Sequence, residues 1–379
     1  MKLIKLIFYI LLSIFFMNIN KTNAINFKDD IYNRQYEASN CHKVYSVLND
    51  DTKDFLQNIG IDIKNPKSIL NLKIENVLDE ILKNIKKDLE LPFKAFINMI
   101  AVMLVCVVFK TFYPKFSGKE IGTVLNLVAA LCISTLVLSP ILKLISFSNF
   151  IIKLASNFII FCVPIMSAIM ISSGQPIYAA SYNYSVVLIS QIISKFSEFF
   201  LIPILNVLLG ISIVSSVSTS LKLESISKTI NQIIKTILKF FSTAFTSILT
   251  IKSLIATSSD NFYSNIFKCV LSESVPIIGN MVNDAYGVVK GSLYLLKSSL
   301  GVFEIIATII IFLPILSKCV LWIIFINLSN CVSDVLELKK ISDLLKSTSG
   351  VVKILVAILT FSVITLIISS AMIFILGGK

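Results

Sequence analysis

From Phe93 onward the chain strings together runs of about twenty apolar residues, and that pattern leaves it few places to live. A helix rises 1.5 Å per residue, so roughly 20 apolar residues cross the hydrocarbon of a bilayer. The whole chain is 55% hydrophobic with a mean hydropathy of +0.86, and only 15% of its residues are charged. That is too little charge to wet a globular surface, because soluble domains carry about one quarter charged residues. The sequence therefore predicts an all-α, polytopic membrane protein.

The apolar runs predict spans over Phe93–Tyr113, Ile121–Leu142, Phe150–Ser172 and Tyr184–Leu205, then one continuing to Val217. Further spans are expected over Ile237–Ala256, Val302–Leu328 and Val351–Leu376, giving about seven or eight. The count is open between residues 178 and 217, where Lys195 and Glu198 mark a candidate break. Pro140, Pro164, Pro203 and Pro314 fall inside apolar runs, as kinks or as places where a helix unwinds to build a site.

Residues 1–24 have the layout of a signal peptide. Lys2 and Lys5 precede an apolar run from Leu6 to Met17, and Thr22-Asn23-Ala24 offers small side chains at a cleavage site. Cleavage after Ala24 would export residues 25–92; the alternative is an uncleaved anchor. The exported segment is helical by pattern. Leu70, Ile74, Val77, Ile81, Ile85 and Leu89 form one apolar stripe from a cap at Ser68 up to Pro92, with Asp79 placed to pair with Lys83. So short a segment buries little core. The stripe needs an earlier helix around Val44–Ile59, the membrane surface or another protein.

A formal charge of +12 invites a nucleic-acid reading, but the excess lies after Phe93, where 21 Lys stand against ten acidic residues. Lysines flanking spans set orientation and meet anionic headgroups. Arg34 is the sole arginine, which leaves little for bidentate phosphate recognition, and no nucleic-acid partner is expected. With residue 25 outside and eight spans, the lysine-rich turns fall inside and Ser272–Gly301 falls outside. Two inside segments, Leu223–Ile237 and Val335–Lys346, are amphipathic and expected to lie in the headgroup plane.

Ser272–Gly301 gathers polar and small residues into one stretch. Gly279, Asn283, Gly287 and Gly291 recur every four residues, a ridge along which another backbone can approach closely. Glu273, Asp284, Lys290 and Lys297 punctuate it, and charges at membrane depth face protein or water-filled space. The stretch reads either as a packing or pore-lining element or as a connector whose glycines break the helix.

The Ser272/Ser274, Pro276 and Gly279 opening, the Asp284-Ala285 pair, Gly291 and the Leu296-Lys297 to Gly301 ending resemble the stage III sporulation protein AE family. The order of parts, an export signal followed by a small segment and a multi-span domain, is similar too. The resemblance implies a component of the secretion-like channel complex joining mother cell and forespore, required for late forespore development. It also implies other membrane subunits as partners, a separate ATPase, and a multi-pass location in the mother-cell membrane around the forespore.

The chain's own chemistry is thin. His42 is the one histidine, which excludes histidine triads and His-Glu metalloprotease helices from the membrane domain. Gly118-Lys119 is followed by Glu120, so no Walker loop exists there. Cys41-His42 lacks further zinc ligands, and the other six cysteines read as small buried hydrophobes. No enzyme activity, cofactor or metal is expected. Ionisable groups near membrane depth, Glu198, Asp284, Glu304 and Lys318, are candidate pathway residues, against a bland reading in which Lys318 snorkels. The packing or pore candidates are then Glu273, Pro276, Gly279, Asn283, Asp284, Gly287, Gly291 and Lys318. The alternative to a channel subunit is a stand-alone secondary transporter for a small solute; a weaker one is a scaffold whose exported helix binds a partner.

Overall fold

The computed structural model describes residues 50–61, 74–112, 119–217, most of 229–247, and 279–375. The signal peptide, most of the expected span Ile237–Ala256, Glu273 and Pro276 lie outside the described residues. Every regular element described is helical: α1 Asp50–Asn58, α2 Ile74–Asp88, α3 Glu90–Phe112, α4 Lys119–Ser172, α5 Pro176–Phe196, α6 Ile202–Val217, α7 Gly279–Val335 and α8 Lys339–Ile375. A π-helical turn, Ser197–Leu201, joins α5 to α6 without a break. Among the described residues, five helical stretches are long and apolar enough to cross a membrane: Glu75–Phe109, Leu127–Ser172, Pro176–Ser215, Leu296–Val335 and Lys339–Ala371. The multi-span all-α reading holds in that form.

The helices are longer than the apolar runs suggest. Ile121–Leu142 and Phe150–Ser172 are parts of one 54-residue helix, α4. The intervening Lys143–Asn149 has no glycine. Leu144, Ile145 and Ser148 are buried, and the Ser148 hydroxyl donates to the Leu144 carbonyl one turn back. A segment with an apolar face and satisfied hydroxyls stays helical, and its lysine only marks the exposed side. Tyr184–Leu205 and the run to Val217 likewise form one helical path through the π turn, which sits where Lys195 and Glu198 suggested a break. The glycines of Ser272–Gly301 do not interrupt the helix either: α7 is continuous from Gly279 through Lys318.

Two reversals are encoded by residue type. At Ser173-Gly174-Gln175 the Gln175 N–H donates to the Met170 carbonyl and the Gly174 N–H to Ile171, while Gly174 takes φ 80°. This is a Schellman ending that needs a left-handed residue, and Pro176 then starts α5 with its φ already helical. At the α7–α8 turn the same pattern recurs, with Leu338 N–H donating to Ser333, but the left-handed position is Glu337 at φ 54°. A non-glycine residue there costs about 1 kcal/mol. Glu337→Gly is therefore expected to stabilise the protein by about that amount, read as a higher midpoint of thermal unfolding in detergent.

α8 lies against α7, α4 and α6 and is the most enclosed of the spans; the Glu75–Phe109 stretch is the outermost. Leu338, Ile341 and Leu345 are buried in the first turns of α8, so Val335–Lys346 is no separate surface helix in the headgroup plane. The stripe on α2 packs inward through Val77 and Ile81, against α7 and α1, and Asn58 Nδ2 donates to Glu80 Oε1 at 3.0 Å. Lys83 pairs with Glu80 at 3.6 Å rather than with Asp79. Cys106, Cys162 and Cys319 are buried as expected, but Cys132 and Cys331 are exposed, on outward faces of their helices.

Candidate functional site

Along α7, Lys297, Glu304, Thr308 and Ile311 fall at steps of seven, four and three, which places them on one face. That face is buried. Lys297 is 3% exposed and Glu304 1%, and they are the two charged side chains fully enclosed among the described residues. Charged groups are almost never buried without partners, so each must be accounted for.

The Lys297 ammonium donates to Gln175 Oε1 at 3.0 Å and lies 5.5 Å from the centre of the Tyr178 ring. Both partners come from the α4–α5 reversal: the Schellman ending at Gly174 aims Gln175 at α7, and Tyr178 follows in the first turn of α5. An amide oxygen and a ring face together replace part of the water a buried cation loses. One turn further along α5, Tyr182 is fully buried within electrostatic reach of Glu304, Tyr178 and Cys162. From α8, the Ser370 hydroxyl donates to Glu304 Oε1 at 2.9 Å and also lies 3.1 Å from the Leu366 carbonyl. Four helices thus converge on a polar row inside an apolar bundle: α7 supplies the charges, α5 the tyrosines, α8 the serine and α4 Cys162.

A second polar level crosses the same helices. Lys318 Nζ is 3.5 Å from Asp88 Oδ1 at the end of α2 and 5.1 Å from the centre of the Phe147 ring on α4. Lys318 and Trp322 also line a cavity of about 390 Å³ with Lys87, Asp88 and Lys94. On the other side of α4, Lys153 Nζ reaches Glu198 Oε1 at 2.6 Å, with Lys195 4.0 Å from the other carboxylate oxygen. The π turn at Ser197–Leu201 presents Glu198 to α4. These pairs are about a third exposed, so each contributes roughly 0–1 kcal/mol. Lys153, Lys195 and Lys318 thus each meet a carboxylate, Glu198 or Asp88, within or beside the bundle.

Gly279, Asn283, Gly287 and Gly291, with Asp284 next to Asn283, all fall in the first turns of α7; their side-chain surroundings lie outside the described residues. Lys318 is not brought to them. It is 27 residues beyond Gly291 on the same helix, roughly 40 Å away. The sequence reading names Lys297 and Glu304 singly and misses the set. Their seven-residue spacing is the signal that joins them, whereas Gln175, Tyr178, Tyr182 and Ser370 come from distant parts of the chain and carry no local mark.

The comparisons with known proteins point one way. The family model described as stage III sporulation protein AE matches residues 60–377. The chain is similar to the stage III sporulation protein AE of Bacillus subtilis (strain 168), 21% identical over 208 residues, covering 55% of this chain and 52% of that protein. The match thus spans about half the length of that relative. No solved structure matches the chain. With the family pattern running from α2 to the end of α8, this chain belongs to the stage III sporulation protein AE family.

Proposed function

We propose that this protein is a membrane subunit of the channel-like complex that links mother cell and forespore, where it serves late forespore development. The family match over residues 60–377 carries the reading. The shape of the bundle favours a subunit over a free-standing permease. α4 runs roughly 80 Å along its path and α7 roughly 85 Å, against a hydrocarbon core of about 30 Å. Large apolar side chains are exposed along α4 on both sides of Lys143 and Lys153, Leu131 and Leu142 before them and Ile171 after. Lipid covers one such zone; the other needs protein.

In this reading the cover is other membrane subunits, and a separate ATPase supplies work, since this sequence has no Walker loop. The protein sits in the mother-cell membrane around the forespore with its N-terminal segment extracytoplasmic. The glycine ridge of α7 is the contact for neighbours, because Gly279, Gly287 and Gly291 along one face let a partner helix approach closely. Gly287→Leu is expected to leave the protein in the membrane but abolish its co-purification with the neighbouring subunits and block spore formation. Intact assembly with lost uptake of a small solute would instead make the protein a permease.

A further inference from the structure

Glu304 accepts one hydrogen bond, from Ser370 to Oε1; its other oxygen, Oε2, is buried with no hydrogen-bond partner among the described residues. The Tyr182 hydroxyl, fully buried on α5 and close enough to Glu304 to interact electrostatically, also has no hydrogen-bond partner among them. So has Ser369, beside Ser370 on α8. A structure that leaves a carboxylate oxygen and nearby hydroxyls unsatisfied in its interior is short of something positive. An isolated buried carboxylate costs several kcal/mol, and the interior tolerates it only with a counter-charge. Lys297 is two helical turns away, roughly 10 Å along α7, with its ammonium directed to Gln175 and the Tyr178 ring.

We propose that Glu304 is an exchangeable proton-binding site within the membrane bundle, the proton residing on the otherwise unpartnered Oε2. The donor set is one carboxylate oxygen and a few hydroxyls, which suits a proton; a sodium ion requires a fuller shell of oxygens. The groups around the site are Ser370 from α8, which donates to Glu304, and Tyr182 from α5, itself within electrostatic reach of Tyr178 and of Cys162 on α4, with Thr308 and Lys297 on the helix itself. None of those from α4, α5 or α8 is a basic residue that would stand in for the proton. When the proton is bound, the carboxyl is neutral and keeps its hydrogen bond from Ser370 at Oε1. When it departs, the carboxylate is left with Ser370 as its one hydrogen-bond donor among the described residues. The same exchange alters the acceptor that Ser370 meets, and its alternative is the Leu366 carbonyl on its own helix. Proton gain and loss are thereby linked to the α7–α8 contact. The site does not depend on which complex the chain joins.

The test is infrared difference spectroscopy on the full-length protein in liposomes, stepped between acid and alkaline buffer. A component of the carboxylic-acid carbonyl band that is present in the wild type and lost in Glu304→Gln, over the signal the other carboxyls give in both, is the expected result. A wild type and a Glu304→Gln variant with the same band overturn the proposal. The hydrophobic reagent dicyclohexylcarbodiimide, which attacks protonated carboxyls in membranes, provides the second readout. It is expected to label the wild type and not Glu304→Gln, at a rate indifferent to added sodium chloride compared with choline chloride. Protection by sodium makes this a sodium site and overturns the assignment to a proton.

Discussion

Ser146→Pro is expected to abolish stable folding or cost about 3 kcal/mol or more, because it places a ring against the Leu142 carbonyl in the interior of a continuous helix and removes a backbone donor. Ser146 is exposed, so the change creates no cavity, and Ser146→Ala serves as the control for loss of the hydroxyl. The position discriminates sharply between two accounts of the same residues. Were Lys143–Asn149 a turn between two spans, as its charge and serines suggest, proline at an exposed position would be nearly neutral, within about 0.5 kcal/mol. Unfolding in detergent, followed by circular dichroism for both variants, reads the difference. A Ser146→Pro protein as stable as Ser146→Ala would break α4 in two.

Phe158→Ala is expected to cost about 3–5 kcal/mol. Phe158 is fully buried on α4, and its ring meets Phe303 of α7 edge-on with centroids 6.4 Å apart. Helices in lipid are held together by close packing more than by expulsion from water, so a void at this crossing removes the main source of adhesion between α4 and α7. Phe150→Ala, eight residues earlier and about half exposed, is the matched control and is expected to change stability little. Equal losses in the two variants would mean that Phe158 does not sit at the centre of the bundle. Because Phe303 adjoins Glu304, the Phe158 variant should also disturb the buried polar row, which the infrared band of the carboxyl would report.

How far the sequence led depends on the range of the interaction in question. Apolar content after Pro92 was enough for an all-helical membrane protein, since that signal is carried by runs of neighbouring residues. The extent of the helices was not legible. Lys143, Lys195 and Glu198 look like loop residues when read singly, yet the structure resolves Glu198 as the partner of Lys153, 45 positions away. A charge that finds its counter-charge on a neighbouring helix no longer needs an aqueous turn. Lys318 follows the same rule: sequence alone offers snorkelling, while Asp88 and the Phe147 ring give it a place. The polar row was hidden for the reverse reason. Glu304 stood out as an ionisable residue at depth, but Tyr182 and Ser370 are ordinary residues of apolar helices until tertiary packing sets them beside it.

One mechanical consequence follows from the unbroken course of α7. Between Gly287 and Glu304 the helix runs unbroken and has no proline, so the two ends of that stretch are joined by continuous backbone hydrogen bonding. A neighbour gripping its glycine end cannot turn it without turning the carboxyl as well, and a change in the carboxyl's charge is felt as torque at the grip. Any slack must be taken up further on, at Pro314, beyond both.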